Sequence, residues 1–144
     1  YYTFSAHDAG CAVSRRVLEI MRTERLLERA ATIGARLRTR LEEVLGGHPL
    51  VSDIRGLGLM QGVELVADRS SGQPFARSVE FAARVAGAAL ERDLWVYPAG
   101  SGPVSDAILL GPPYTIGEDH VELIVQTLRE AIDAAAGALL SAAG

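Results

Sequence analysis

A chain of 144 residues, 49% hydrophobic, 22% charged and 6% aromatic, is the size and composition of one ordinary globular domain. Its formal net charge of −4 and pI near 5.4 provide no global field for phosphate backbones or anionic lipid, so neither nucleic acid nor a membrane is expected as a partner. All 14 basic residues are arginine, which excludes Schiff-base and lysine-base chemistry from this chain.

The single Cys11 cannot form an intramolecular disulfide, and its small, apolar neighbours suggest a buried, inert thiol. No apolar run reaches the ~20 residues that span a bilayer, and the N-terminus lacks a signal-peptide pattern, so a cytoplasmic location is expected.

From Ala9 to Leu45, apolar residues recur at helical spacing through Val13, Val17, Leu18, Ile20 and Met21, then through Leu26, Ala30, Ile33, Leu37, Leu41 and Val44. This predicts one long helix or two nearly collinear ones, with Thr23 and Glu24 capping the second. Gly46, Gly47 and Pro49 end it. Residues 50–66 alternate imperfectly around recurring glycines, which predicts two short strands about a bend. Asp68 to Pro74 is polar and predicts a surface loop.

Phe75 to Arg92 returns to helical spacing, and Leu94 to Pro98 has strand composition closed by proline. The loop 99–103 leads to a short apolar strand, Ala107 to Leu110. Thr115 and Glu118 then have the spacing of a capping box opening a last helix, with Val121, Ile124, Val125, Leu128 and Ile132 inward. The alanine-rich tail from Ala134 is weakly patterned and expected to fray. The predicted fold is α+β: a small antiparallel or mixed sheet covered by helices and preceded by a long helix. Residues 1–45 form the N-terminal segment and long helix, and 46–144 a small domain.

Three segments together resemble the C-terminal portion of class III, fold-type I, pyridoxal-phosphate-dependent aminotransferases: Tyr2-Thr3-Phe4-Ser5-Ala6-His7, Val51 to Leu59 with its Arg55-Gly56-Leu57-Gly58, and Ile108 to Ile116 with Pro112-Pro113. Each segment is weak alone, but their order and separation agree over essentially the whole chain. The resemblance implies the small C-terminal domain and the helix entering it, with the large domain absent. It also implies that Thr3, with Tyr2 beside it, binds the cofactor phosphate of a neighbouring subunit. Third from the start of the chain, Thr3 is expected to be unordered in isolation. Ala6 and Asp8 stand where the family has glycine and proline, and Asp8 is a candidate helix N-cap.

The remaining candidates read as structural. No partner for general-base work is placed beside His7, which the resemblance puts in the turn entering the helix. Arg55-Gly56-Leu57-Gly58 lacks the strand-to-helix context of a phosphate cradle, so Arg55 is expected to pair with Asp53, Glu64 or another domain. The resemblance puts a substrate-carboxylate arginine near Leu109 or Gly102, yet no arginine lies between Arg92 and Arg129. His48 and His120 are expected to be solvated, with no metal-ligand spacing. Trp95 and Tyr97 are expected in the core.

The family's cofactor-bearing lysine and pyridine-nitrogen aspartate belong to its large domain. The expected function is therefore that of a fragment or subunit of a class III aminotransferase, inactive alone and binding no pyridoxal phosphate by itself. Its partner is a large domain in another chain, or further copies of itself. An inactive, self-associating remnant is the alternative. A small-molecule module around Trp95, Tyr97 and Pro112 is the third reading, weakened because the sequence places no convergent polar groups there.

Overall fold

The computed structural model describes residues 7–101 and 104–142. The element order is α1 (Asp8–Thr23), α2 (Leu26–Leu45), β1 (Val51–Leu57), β2 (Met60–Leu65), a 3-10 turn (Arg77–Val79), α3 (Phe81–Leu90), β3 (Tyr97–Ser101), β4 (Val104–Leu110) and α4 (Glu118–Ala142). The strands form one antiparallel sheet in the order β1-β2-β4-β3, so the expected α+β arrangement is present. Alternation decides its faces: Val63, Leu65, Ile108 and Leu110 turn inward against α2, α3 and α4, while Arg55, Glu64, Ala107 and Leu109 lie opposite.

The long helical stretch is two helices. Arg25 adopts φ 52°, a left-handed conformation that ends one helical path and starts another. Thr23 does not cap α2; its hydroxyl donates backward to the Glu19 carbonyl at 2.8 Å. None of the residues of α1 is buried, and Val13, Val17 and Leu18 are exposed. Cys11 is exposed with them, contrary to expectation, because it lies on the part of the helix that no described residue covers. Helix α2 instead drives Leu37, Leu41 and Leu45 into the core.

Two helix N-termini are capped locally by histidine. His7 is the N-cap of α1, its Nδ1 accepting from Gly10 N–H at 3.1 Å, so Asp8 falls in the first turn rather than at the cap. Helix α4 begins at Glu118, later than Thr115 suggested, and Gly117 N–H donates to His120 Nδ1 at 3.3 Å. The tail does not fray at Ala134: α4 continues to Ala142, with Ala131 and Ala135 buried against the core.

The strand expected at Leu94 to Pro98 starts later, at Tyr97, and carries Pro98. Strand β3 is an edge, where a missing N–H costs no ladder bond. Before it, Leu94 and Val96 reach inward, which turns Trp95 and Tyr97 outward to 74% and 55% exposure. The core expectation for these two aromatics is thereby overturned.

Helices α2 and α4 are also tied by a fork: Arg40 Nε and Nη2 donate to the two Glu122 oxygens at 2.6 and 2.9 Å. Those hydrogen bonds hold the Glu122 carboxyl below its ordinary value. A depressed folded-state value means the contribution is present above the ordinary glutamate range and is lost as pH falls through and below it. Glu122→Gln is expected to melt below wild type at pH 7, with the difference shrinking as pH is lowered below the ordinary glutamate range; a difference that stays constant on acidification contradicts the fork's role.

Candidate functional site

The family-like segments meet at one end of the sheet. The β1–β2 bend turns at Gly58, φ 57°, and lies against α2, while the segment after β4, Gly111 to Gly117, passes beside both. Arg29 of α2 holds that segment: its Nε donates to the Tyr114 carbonyl at 3.1 Å and its Nη2 to the Ile116 carbonyl at 2.7 Å. Two concavities flank Pro112 and Pro113.

The first, a groove of about 890 Å³, runs between α2 and the β1–β2 bend, with Gly34, Gly56, Gly58 and Gln61 among its lining. Gln61 is buried, and its Nε2 donates to the Gly58 carbonyl at 2.7 Å. The second, a cleft of about 400 Å³, is lined by Leu94, Trp95, Pro112, His120 and Leu123 among others. Trp95 and Pro112 thus come together as the third reading required, and His120 is a polar neighbour that sequence did not place there. Tyr97 lies outside that lining.

Arg55 pairs as expected, donating to Asp53 at 2.6 Å and Glu64 at 2.7 Å. Both carboxylates raise the guanidinium's already high value, Glu64 first, and leave it committed within the sheet. Leu109 sits on the sheet face opposite the helices and supplies no fork for a carboxylate. Gly102 lies outside the described residues, as do Tyr2 and Thr3, so the phosphate contact assigned to those two by resemblance is not part of the described geometry.

His48 is not simply solvated. Its Nδ1 accepts from Leu50 N–H at 3.2 Å and its Nε2 lies 3.1 Å from the Asp133 carboxylate, clasping the α2–β1 turn to α4. His120 is exposed as expected. Among the described residues no cluster of His, Cys, Asp and Glu could hold a metal, and no helix is long and apolar enough to cross a membrane.

The family model for class-III aminotransferases matches residues 2–132. The chain belongs to the class-III aminotransferase family. An uncharacterized aminotransferase of Schizosaccharomyces pombe is 33% identical over 143 residues, covering 96% of this chain and 31% of that protein. A Bacillus anthracis aminotransferase structure superposes with TM-score 0.83 at 35% identity, over 91% of this chain and 29% of that one. The PMP-bound aminotransferase from Vibrio fluvialis shares the fold, with TM-score 0.80 at 24% identity over 89% of this chain and 27% of that one. The chain therefore spans about three tenths of the length of the relatives it matches.

The family uses pyridoxal phosphate, which supplies the chemistry that carries an amino group between donor and acceptor. The residues present do not fit that group on their own. Every cationic side chain is an arginine, whose guanidinium stays protonated and forms no imine, and the described residues place no free arginine fork beside Pro112.

Proposed function

We propose that this chain is the C-terminal part of a class III transaminase that contributes to catalysis only alongside a large domain carrying the lysine. The observation that carries this reading is the combination of a family match over nearly the whole chain with a sequence that holds no lysine. Such a chain supplies the small domain's wall and has no group to anchor the cofactor. It acts in the cytoplasm, binds no pyridoxal phosphate alone, and leaves Thr3 and Tyr2 to meet the phosphate of a neighbouring subunit's cofactor.

The test mixes the 144-residue chain with the large-domain portion of the Bacillus anthracis aminotransferase, meaning the part of that chain outside its match. Expected are no cofactor absorbance and no turnover of an amino donor with the chain alone, and a complex that retains cofactor with both parts. Turnover by the chain alone, or no complex at all, defeats the proposal.

One observation supports a second reading, an inactive remnant that assembles with copies of itself. Helix α1 is amphipathic yet buries nothing, and an apolar helical face of this kind is normally covered. Sedimentation decides between them: a monomer at all concentrations removes the second reading.

A further inference from the structure

The segment between β4 and α4 has little of its own to hold it. Gly111, Pro113, Tyr114 and Thr115 are exposed, and Pro112 and Pro113 have no N–H to give. Its internal backbone hydrogen bond runs from Ile116 N–H to the Pro113 carbonyl at 3.2 Å. Ile116, 6% exposed, pins it from below, and His120 caps its end at Gly117. Exposed chain with so few bonds is ordinarily among the first parts of a fold to open.

Arg29 supplies what the backbone lacks. It stands in the first turn of α2, and its guanidinium reaches 85 and 87 residues along the chain to the Tyr114 and Ile116 carbonyls, one on each side of Thr115. Nε–H and Nη2–H lie on one edge of a rigid planar group, so the two carbonyls are fixed relative to each other as well as to the helix. Lysine, a single ammonium on a flexible stem, imposes no such spacing. Among the described residues no other side chain donates to a carbonyl of this segment. Pro112 and Pro113 border both the groove of about 890 Å³ and the cleft of about 400 Å³, so the place of the segment decides the width of each.

We propose that Arg29 is the positioning residue of this segment, and that through it α2 sets the wall the small domain presents to an amino donor. The catalytic consequence rests on the functional reading above, whereas the hold on the segment rests on the geometry alone. Arg29 touches no reacting atom in this assignment. Its loss loosens the wall, weakens donor binding and leaves the bond-making groups of the large domain as they were.

The experiment follows amide exchange in the 144-residue chain as wild type, Arg29→Gln, Arg29→Lys and Arg16→Gln. Arg16, paired with Glu19 on α1, is the control for loss of one exposed charge. Arg29→Gln is expected to speed exchange at Ile116 and Gly117 about tenfold, while Val125 and Leu128, in the buried stretch of α4, exchange as in wild type. Arg29→Lys should recover less than about half of that loss, and Arg16→Gln should match wild type. In complex with the Bacillus anthracis large-domain portion, Arg29→Gln should raise KM for the amino donor about tenfold and keep kcat within about twofold. Unchanged exchange at Ile116 and Gly117 overturns the proposal. So does a uniform acceleration that includes Val125 and Leu128, which makes Arg29 a general stabiliser, and so does full recovery by lysine, which replaces the fork by a point charge. An unchanged KM beside a loosened segment detaches the segment from the donor and overturns its catalytic part. No complex with wild type overturns the functional reading, and the exchange rates then decide the hold on the segment by themselves.

Discussion

Gly34→Ala is expected to cost about 3 kcal/mol and lower the thermal midpoint by roughly 10 °C. In an exposed helix the same change stabilises by about 1 kcal/mol, because alanine loses less backbone entropy. Here the sign inverts for a steric reason. A Cβ at Gly34 would lie 2.2 Å from the Gly58 carbonyl carbon and 2.3 Å from its oxygen, and both obstructing atoms are backbone. No rotamer change relieves such a clash, so either α2 moves off the sheet or the β1–β2 bend opens. Gly47 supplies the control: nothing lies within 4 Å of its added Cβ, so Gly47→Ala should stay within about 0.5 kcal/mol of wild type. Thermal melts of the two variants side by side check the prediction. Similar midpoints would show that the helix and the bend are not in that contact.

The same close approach shows why some of this molecule is legible from sequence and some is not. Helical faces read well, because Leu37, Leu41 and Leu45 on α2 and Val121, Val125, Leu128 and Ile132 on α4 repeat with the period of the helix that buries them. The bend of Arg55 to Gly58 also reads, since glycine there permits the positive φ of Gly58. Parity reads poorly. Residues 94–97 alternate as a strand should, but size suggested Trp95 and Tyr97 as the inward pair, whereas Leu94 and Val96 take that side. A shift of one residue exchanges the two faces, and composition alone does not choose between them.

Helix caps read poorly for a related reason. Asp8 and Thr115 have the favoured cap chemistry, yet the imidazoles of His7 and His120 stand at the positions from which Nδ1 reaches a terminal N–H. Propensity ranks residue types, and position decides which of them is in reach. The groove is a convergence of α2, the β1–β2 bend and the segment after β4, which no window along the chain contains. Only Gln61 carries a hint, as an amide that alternation places on the inward face of its strand beside Val63 and Leu65. The exposed apolar residues of α1 have a different status: their helical spacing was legible, but the described residues supply nothing that covers them.

Asp106→Ala is expected to be the other severe substitution, at about 3 kcal/mol. Helix α3 starts abruptly, after Glu80 in the left-handed region at φ 50°, and no side chain of its own caps it. The amide of Ala82, at its first turn, is satisfied from across the fold: Asp106 Oδ1, on β4, accepts from it at 2.7 Å, and both residues are almost fully buried. Alanine at 106 leaves that N–H without an acceptor and removes a carboxylate from the positive end of the helix. It also loosens α3 next to Phe81, which is fully buried and stacked on Phe75 with ring centroids 4.1 Å apart. Asp106→Asn keeps an acceptor of the same shape and surrenders the charge, so it should cost about half as much. Urea unfolding that shifts the midpoint without changing the slope measures both. Equal losses for the two variants would assign the whole effect to the charge at the helix terminus, and a loss below about 1 kcal/mol for alanine would mean that water replaces the carboxylate at this buried amide.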